Sequence, residues 1–220
     1  MPRFATATLL LAALSLAVAP RPSGAAPIGF QVELQGVGSQ LGGNTGIAGI
    51  HSVTDLYAPQ FGFMVGATYG FTDHLVFGVR SGEFAEKQDV TDIAREVGSL
   101  SAPLTANAEL QVIPTHALLQ YRAKLARKFG VYDEFGVGVS SFKQNFEVFR
   151  SGQSLVRTAA RQLNLSFLIG GGGSWDYQTA FSVIASFDVL VVPSANGEVW
   201  SEGHNPQFFM FALGIRYPRR

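Results

Sequence analysis

The chain has 220 residues, of which 15% are charged, and its formal net charge is zero. Charge this sparse falls below the roughly 25% usual for soluble domains, and a neutral total offers no footing for nucleic acid. The absence of cysteine excludes disulfides, thiol catalysis and cysteine metal sites.

The opening stretch, MPRFATATLLLAALSLAVAPRPSGAAP, reads as an export signal. Arg3 supplies the positive charge, residues 9–19 an apolar run, and Ser23-Gly24-Ala25 the small residues before a cut. Cleavage is expected after Ala25, which makes 1–25 the signal and 26–220 one mature domain. No later stretch has the roughly 18 apolar residues of a spanning helix.

Period-two alternation of apolar residues then recurs eight times, at about 28–38, 59–71, 74–86, 109–123, 129–142, 160–176, 179–192 and 207–217. The connections alternate in length. TDH, AKLARK and DYQT are short, whereas 39–58, 87–108, 143–159 and 193–206 are long and rich in Ser, Gly, Asn and charge. Within the second long connection, Val90, Ile93, Ala94 and Val97 fall on one helical face, with Asp89 and Gly98 as caps. A short helix is expected near 89–97.

An even number of strands with short turns at one end and long loops at the other predicts an all-β fold. The expected form is an eight-stranded antiparallel up-and-down transmembrane β-barrel with short periplasmic turns and four long extracellular loops. Parity assigns the sides. Phe63, Phe77, Val137, Phe167, Phe187, Phe211 and Leu213 share the lipid-facing side with other apolar groups. Glu33, Arg80, Arg122, Glu134, Asp188 and Arg216 share the other with glycines and serines, predicting a lumenal charge network. Ions in so narrow a lumen must be paired. Tyr69, Phe71, Tyr121, Trp175, Tyr177 and Tyr217 lie on the apolar side at strand ends by the short turns, predicting a periplasmic aromatic girdle. Phe142 and Trp200 are candidates for the outer edge.

The segments MVGATYGFTDHLVFGVRSG, ALLQYRAKLARKFGVYDEFGVGVS and the closing FFMFALGIRYPRR carry a resemblance. In them the mature chain resembles the small outer-membrane barrels of Gram-negative bacteria, of the OmpA/OmpX, OmpW and opacity-protein kind. The closing strand, with Gly214 and Tyr217, is similar to that family's assembly signal but continues into Pro218-Arg219-Arg220. The resemblance implies an outer-membrane location after signal cleavage. The implied partners are outer-membrane lipid, lipopolysaccharide, the barrel-assembly machinery and an unidentified extracellular partner. Members of that family serve as structural proteins, adhesins, small-solute channels or lipid-modifying enzymes, and fold alone does not choose among them.

Candidate chemistry is sparse. LIGGGGSW would need a following helix to cradle phosphate, and the alternation continues through it instead. Ser201, Glu202 and His204 crowd into one loop, and His51 with Asp55 into another, neither being a convincing triad. His74 falls on a short turn and His116 in the lumen, without metal-ligand spacing. No catalytic, cofactor or metal residue is therefore assigned. The expectation is a non-enzymatic surface or structural barrel. A narrow channel for small or hydrophobic solutes is the alternative, and a lipid-modifying enzyme comes third.

Overall fold

A computed structural model describes residues 29–42, 60–91, 104–177, 180–193 and 205–218. Eight strands follow one another: β1 (Phe30–Gly42), β2 (Gln60–Gly70), β3 (Leu75–Thr91), β4 (Leu104–Ala126), β5 (Phe129–Arg150), β6 (Gln153–Tyr177), β7 (Phe181–Val191) and β8 (Gln207–Tyr217). Each pairs antiparallel with the next, and β1 pairs with β8 from Val32↔Tyr217 to Gly42↔Gln207, so the sheet closes on itself. Closure leaves no strand edge within the wall, which a hydrocarbon surrounding demands.

The wall is apolar on the outside. Phe77, Val79, Leu119, Val137, Leu165, Ile169, Phe187, Phe211 and Leu213 are all exposed, Phe211 by 67% and Leu213 by 64%. The belt continues around all eight strands, far beyond the few hundred Å² of apolar patch that soluble monomers tolerate. Acids and bases are instead buried: Glu33 and Asp188 are 0% exposed and Arg80 is 3% exposed. The fold is a transmembrane β-barrel.

The strands differ in length. β2, β7 and β8 have 11 residues each, close to the roughly 9–11 that cross a membrane. β4, β5 and β6 have 23, 22 and 25. Pairing of β2 with β3 ends at Gly62↔Phe84, and pairing of β6 with β7 at Phe167↔Val191. Beyond those points β3–β6 continue as a four-stranded sheet standing on one rim. Glu83, Gln111, Lys143 and Arg161 mark where the outward face turns polar, with Gln111 donating a side-chain hydrogen bond to Glu83.

Two expectations about connections are corrected here. The stretch 143–159 is not a loop, because β5 and β6 meet in a tight hairpin with Arg150 opposite Gln153. Ser151 and Gly152 take positive φ, 50° and 80°, the backbone of a type I′ turn that matches the twist of its flanking strands. Likewise 87–91 and 104–108 are strand rather than loop. The amphipathic pattern at 89–97 does not begin a helix: Asp89, Val90 and Thr91 pair with Asn107, Ala106 and Thr105. Ladder hydrogen bonds with β4 outweigh the weak preference of so short a helix. Residues 92–97 lie outside the described residues, as do the signal stretch, 43–59, 194–204 and therefore Trp200.

At the opposite end the turns are short. Thr72 Oγ1 accepts hydrogen bonds from the backbone N–H of His74 and Leu75 at 3.2 and 2.9 Å. Phe71 N–H donates to the Leu75 carbonyl at 2.9 Å. Tyr69, Phe71, Tyr121, Trp175, Tyr177 and Tyr217 are all exposed at this end. Phe142 is not an outer-edge aromatic. It is 0% exposed and points inward, because it shares the parity of Gly136, Gly138 and Ser140.

Candidate functional site: the barrel interior

The lumen is filled in two layers. Near the short turns it is ionic, centred on Glu33 of β1. Glu33 lies opposite Gly66 on one side and Arg216 on the other, and Gly66 lies opposite Arg80. With no side chain at Gly66 to intervene, Arg80 reaches across it. Glu33 Oε2 takes Arg80 Nη2 at 3.2 Å, while Oε1 takes Arg122 Nη2 at 3.1 Å and Arg216 Nε at 2.7 Å. One carboxylate thus serves three guanidinium groups.

Arg80 continues the network. It grips Glu134 with both terminal nitrogens, Nη2 donating to Oε2 at 2.9 Å, and stands 3.8 Å from Asp188 Oδ2. Gln120 donates to Glu134 at 2.8 Å, and Ser186 to Asp188 at 2.9 Å. Arg122 donates through Nε to Gln120 at 2.9 Å and also to Gln31. The structure therefore brings Glu33, Arg80, Arg122, Glu134, Asp188 and Arg216 into one connected cluster of three acids and three bases. Buried ions persist only when so paired and hydrogen-bonded.

The four-glycine run in β6 has a structural use in this layer. Gly170 lies opposite Asp188 and Gly172 opposite Tyr132 and Ser186. A Cβ at Gly170 would stand 2.0 Å from Asp188 Oδ1 and 2.6 Å from the Phe187 carbonyl oxygen. Gly170→Ala is accordingly expected to destabilise the barrel by about 1–3 kcal/mol, as overpacking does. Gly173→Ala, whose nearest neighbour would be a Phe129 ring carbon at 3.4 Å, should be close to neutral. Urea titrations of both variants in micelles compare them directly; equal midpoints would refute this role.

Toward the other rim the lumen is apolar, which parity of the outward groups alone did not predict. Val37, Leu41, Met64, Phe84, Leu110, Val112, Phe142, Leu168, Leu190, Phe208 and Met210 form one buried cluster. Phe208 is its centre, 5.6 Å from the Phe84 ring and 5.9 Å from that of Phe142. In the run Phe208-Phe209-Met210-Phe211 two residues enter this plug and two face outward. The first of each pair could be found only by carrying the alternation through an unbroken apolar stretch. Between the layers, His116 Nε2 and Ser166 Oγ share a hydrogen bond of 2.9 Å, and Ser166 another of 2.8 Å with Ser140. All three residues are buried. Among the described residues no group of His, Cys, Asp and Glu could hold a metal ion. Ser201, Glu202, His204, His51 and Asp55 lie outside the described residues.

Below the ionic layer a cavity of about 520 Å³ opens at the short-turn end. Arg122, Lys124, Tyr132, Asp176, Ser182 and Arg216 are among its walls.

Solved structures of similar shape include Neisserial surface protein A, 14% identical over 89% of this chain and 100% of that one, with a TM-score of 0.49. Ail of Yersinia pestis, solved with the heparin analogue sucrose octasulfate, is 12% identical over 86% and 96%, with a TM-score of 0.48. OprG of Pseudomonas aeruginosa is 14% identical over 88% and 97%, also at 0.48. At such identities and scores the likeness carries no statement about activity or partners. No curated protein matches the chain in sequence.

The LamB/YcsF family model matches residues 47–182. That stretch takes in β2–β6 and the first two residues of β7, with Arg80, Arg122, Glu134 and the His116–Ser166 contact. It leaves out β1 and β8, which close the barrel, and with them Glu33, Asp188 and Arg216. The match corrects the expectation of a non-enzymatic protein, since the family is enzyme-related and of hydrolase type. By this match, which spans more than half of its length, the chain belongs to the LamB/YcsF family.

Proposed function

We propose that the protein is an outer-membrane barrel of a Gram-negative bacterium that holds the four-stranded sheet of β3–β6 outside the cell as a surface for interaction. The observation that carries this reading is the overshoot. Strands of 22–25 residues spend about ten crossing hydrocarbon, and the remainder continues past the polar positions Gln111, Lys143 and Arg161 as a paired sheet. Lipid and lipopolysaccharide surround the belt, the exposed aromatics at the short-turn end sit at the inner headgroup level, and the assembly machinery inserts the chain. The extracellular partner is whatever engages the projecting sheet.

The absence of cysteine makes a topology test simple. In intact cells, a membrane-impermeant maleimide is expected to label Ser151→Cys at the β5–β6 turn. It should label Arg127→Cys, at the β4–β5 turn, only after the outer membrane is permeabilised. The opposite pattern would overturn the orientation, and with it the interaction surface.

Among the described residues the lumen is filled by paired ions below and by Phe84, Phe142 and Phe208 above. Purified protein in planar bilayers should show no steady single-channel openings. Reproducible conductance would favour the solute-channel alternative instead.

A further inference from the structure

We propose that the outer wall of the barrel binds a lipopolysaccharide headgroup by its phosphate, on Lys143, Arg161 and Ser141, where the apolar belt ends. Register places Lys143 of β5 directly opposite Arg161 of β6. Parity turns both outward, in line with the exposed Val139 and Leu165 below them. Ser141 is the outward residue of β5 between Val139 and Lys143. Arg161 is exposed and Lys143 and Ser141 are half-buried, so a ligand reaches all three from outside.

Like charges facing each other across a strand pair repel, and this pair has no acid to relieve it. Among the described residues neither Lys143 nor Arg161 forms an ion pair. The outward acids of β3 and β4 at this level have amide partners. Glu83 accepts from Gln111, which lies opposite Lys143, and Glu109 accepts from Asn145 at 3.4 Å. Glu147 stands higher on β5, opposite Arg157. An anion held between the two cations removes the repulsion. The Cβ atoms of directly opposed residues stand about 4.5–5.5 Å apart. One phosphate spans that gap with charge-assisted hydrogen bonds of about 2.7–2.9 Å, and the guanidinium fork suits its paired oxygens. The Ser141 hydroxyl has no partner among the described residues and adds a third donor. β7 pairs with β6 only from Phe167 toward the short turns, so no described strand crowds the far side of Arg161.

Height identifies the anion as a headgroup. Phe129 and Trp175 lie opposite each other at the short-turn end, and both are exposed. Lys143 and Arg161 lie fourteen residues further along the same two strands. At about 3.4 Å per residue and a tilt of roughly 35–45°, they stand about 34–39 Å above that aromatic pair. The hydrocarbon is about 30 Å thick, and the bilayer with its headgroups about 40–45 Å. With the lower aromatics at one headgroup level, the cations fall within the other. By the orientation proposed above, on which this assignment rests, that layer is lipopolysaccharide, whose lipid A sugars carry phosphate.

The test uses the whole mature barrel in a nonionic detergent, which brings no phosphate of its own. Diphosphorylated lipid A, and the same lipid with its phosphates removed, are titrated into the micelles, and bound lipid is counted by native mass spectrometry. Saturable binding of the phosphorylated lipid alone is expected. Lys143→Gln and Arg161→Gln should each weaken it roughly tenfold, the loss of one hydrogen bond to a charged group. Lys143→Arg keeps the charge and should keep most of the affinity. Arg157→Gln, higher on the wall, should leave it unchanged. All four variants should still migrate differently on gels when unboiled. Equal binding of the two lipids, binding of neither, or equal losses in the three glutamine variants would overturn the proposal. So would displacement of lipid A by inorganic phosphate at the lipid's own concentration, which would make the ligand a soluble phosphate. Binding in micelles does not depend on which rim faces outside, so failure of this site and reversed maleimide labelling are separate results.

Discussion

Glu33→Ala is expected to destabilise the folded barrel by about 3–5 kcal/mol, the range found when one partner of a buried ion pair is deleted. Glu33 is 0% exposed and is the shared acceptor for Arg80, Arg122 and Arg216. Removing it leaves three bases against two acids in a lumen where the surplus positive charge reaches little water. Arg216 loses its ion-pair partner outright, whereas Arg80 keeps Glu134 and Asp188. Arg122→Ala should cost less, because that side chain is 12% exposed and its departure leaves a smaller desolvated imbalance. Urea unfolding in micelles, followed by tryptophan fluorescence, measures both. A Glu33→Ala barrel as stable as the parent would mean that the network contributes nothing to holding β1 against β2 and β8.

Leu213→Arg is expected to cost about 2–4 kcal/mol, the range for a cation at the lipid-facing midplane of a membrane barrel. Leu213 is 64% exposed and sits midway along β8 between Phe209 and Tyr217. On a soluble protein so exposed a position would tolerate arginine within about 0.5 kcal/mol. The penalty comes from desolvating the guanidinium in hydrocarbon rather than from lost packing. Arg161, on the outward face of β6 above the belt, gives the contrast: Arg161→Leu should change stability little. Both are read from unfolding titrations in lipid vesicles, and a neutral Leu213→Arg would place that face in water.

The barrel was legible because half of each strand's pattern is dictated by lipid. Where β7 and β8 cross the membrane, outward positions such as Phe187, Phe211 and Leu213 must be apolar, and the two-residue period is plain. Above the membrane that constraint lapses. Lys143, Asn145 and Glu147 on β5 face Arg161, Ala159 and Arg157 on β6, a polar ladder in which no apolar period survives. The projecting sheet therefore read as loop, although Gly152 marked its turn. The helical spacing that starts at Asp89 also misled over its first three residues, since pairing of Asp89, Val90 and Thr91 with β4 decides their conformation.

The interior was half legible. Acids and bases at lumenal parity had to meet, and Glu33, Arg80 and Glu134 do so. Which acid pairs with which base depends on register, and Gly66 opposite both Glu33 and Arg80 could be located only once the strands were aligned. The aromatic plug of Phe84, Phe142 and Phe208 was hidden, because apolar residues on both faces erase the alternation that reveals a side.

Nitroxide scanning along β8 tests the inside-out arrangement most directly, and a chain without cysteine permits one label at a time. Labels at 209, 211, 213 and 215, in the barrel reconstituted into lipid, should collide freely with dissolved oxygen and scarcely with an aqueous relaxation agent. Labels at 208, 210 and 212 should be immobilised and shielded from both. The reverse alternation, or strong collision with the aqueous agent at 211 and 213, would contradict a barrel that turns its apolar groups to lipid and its ions inward.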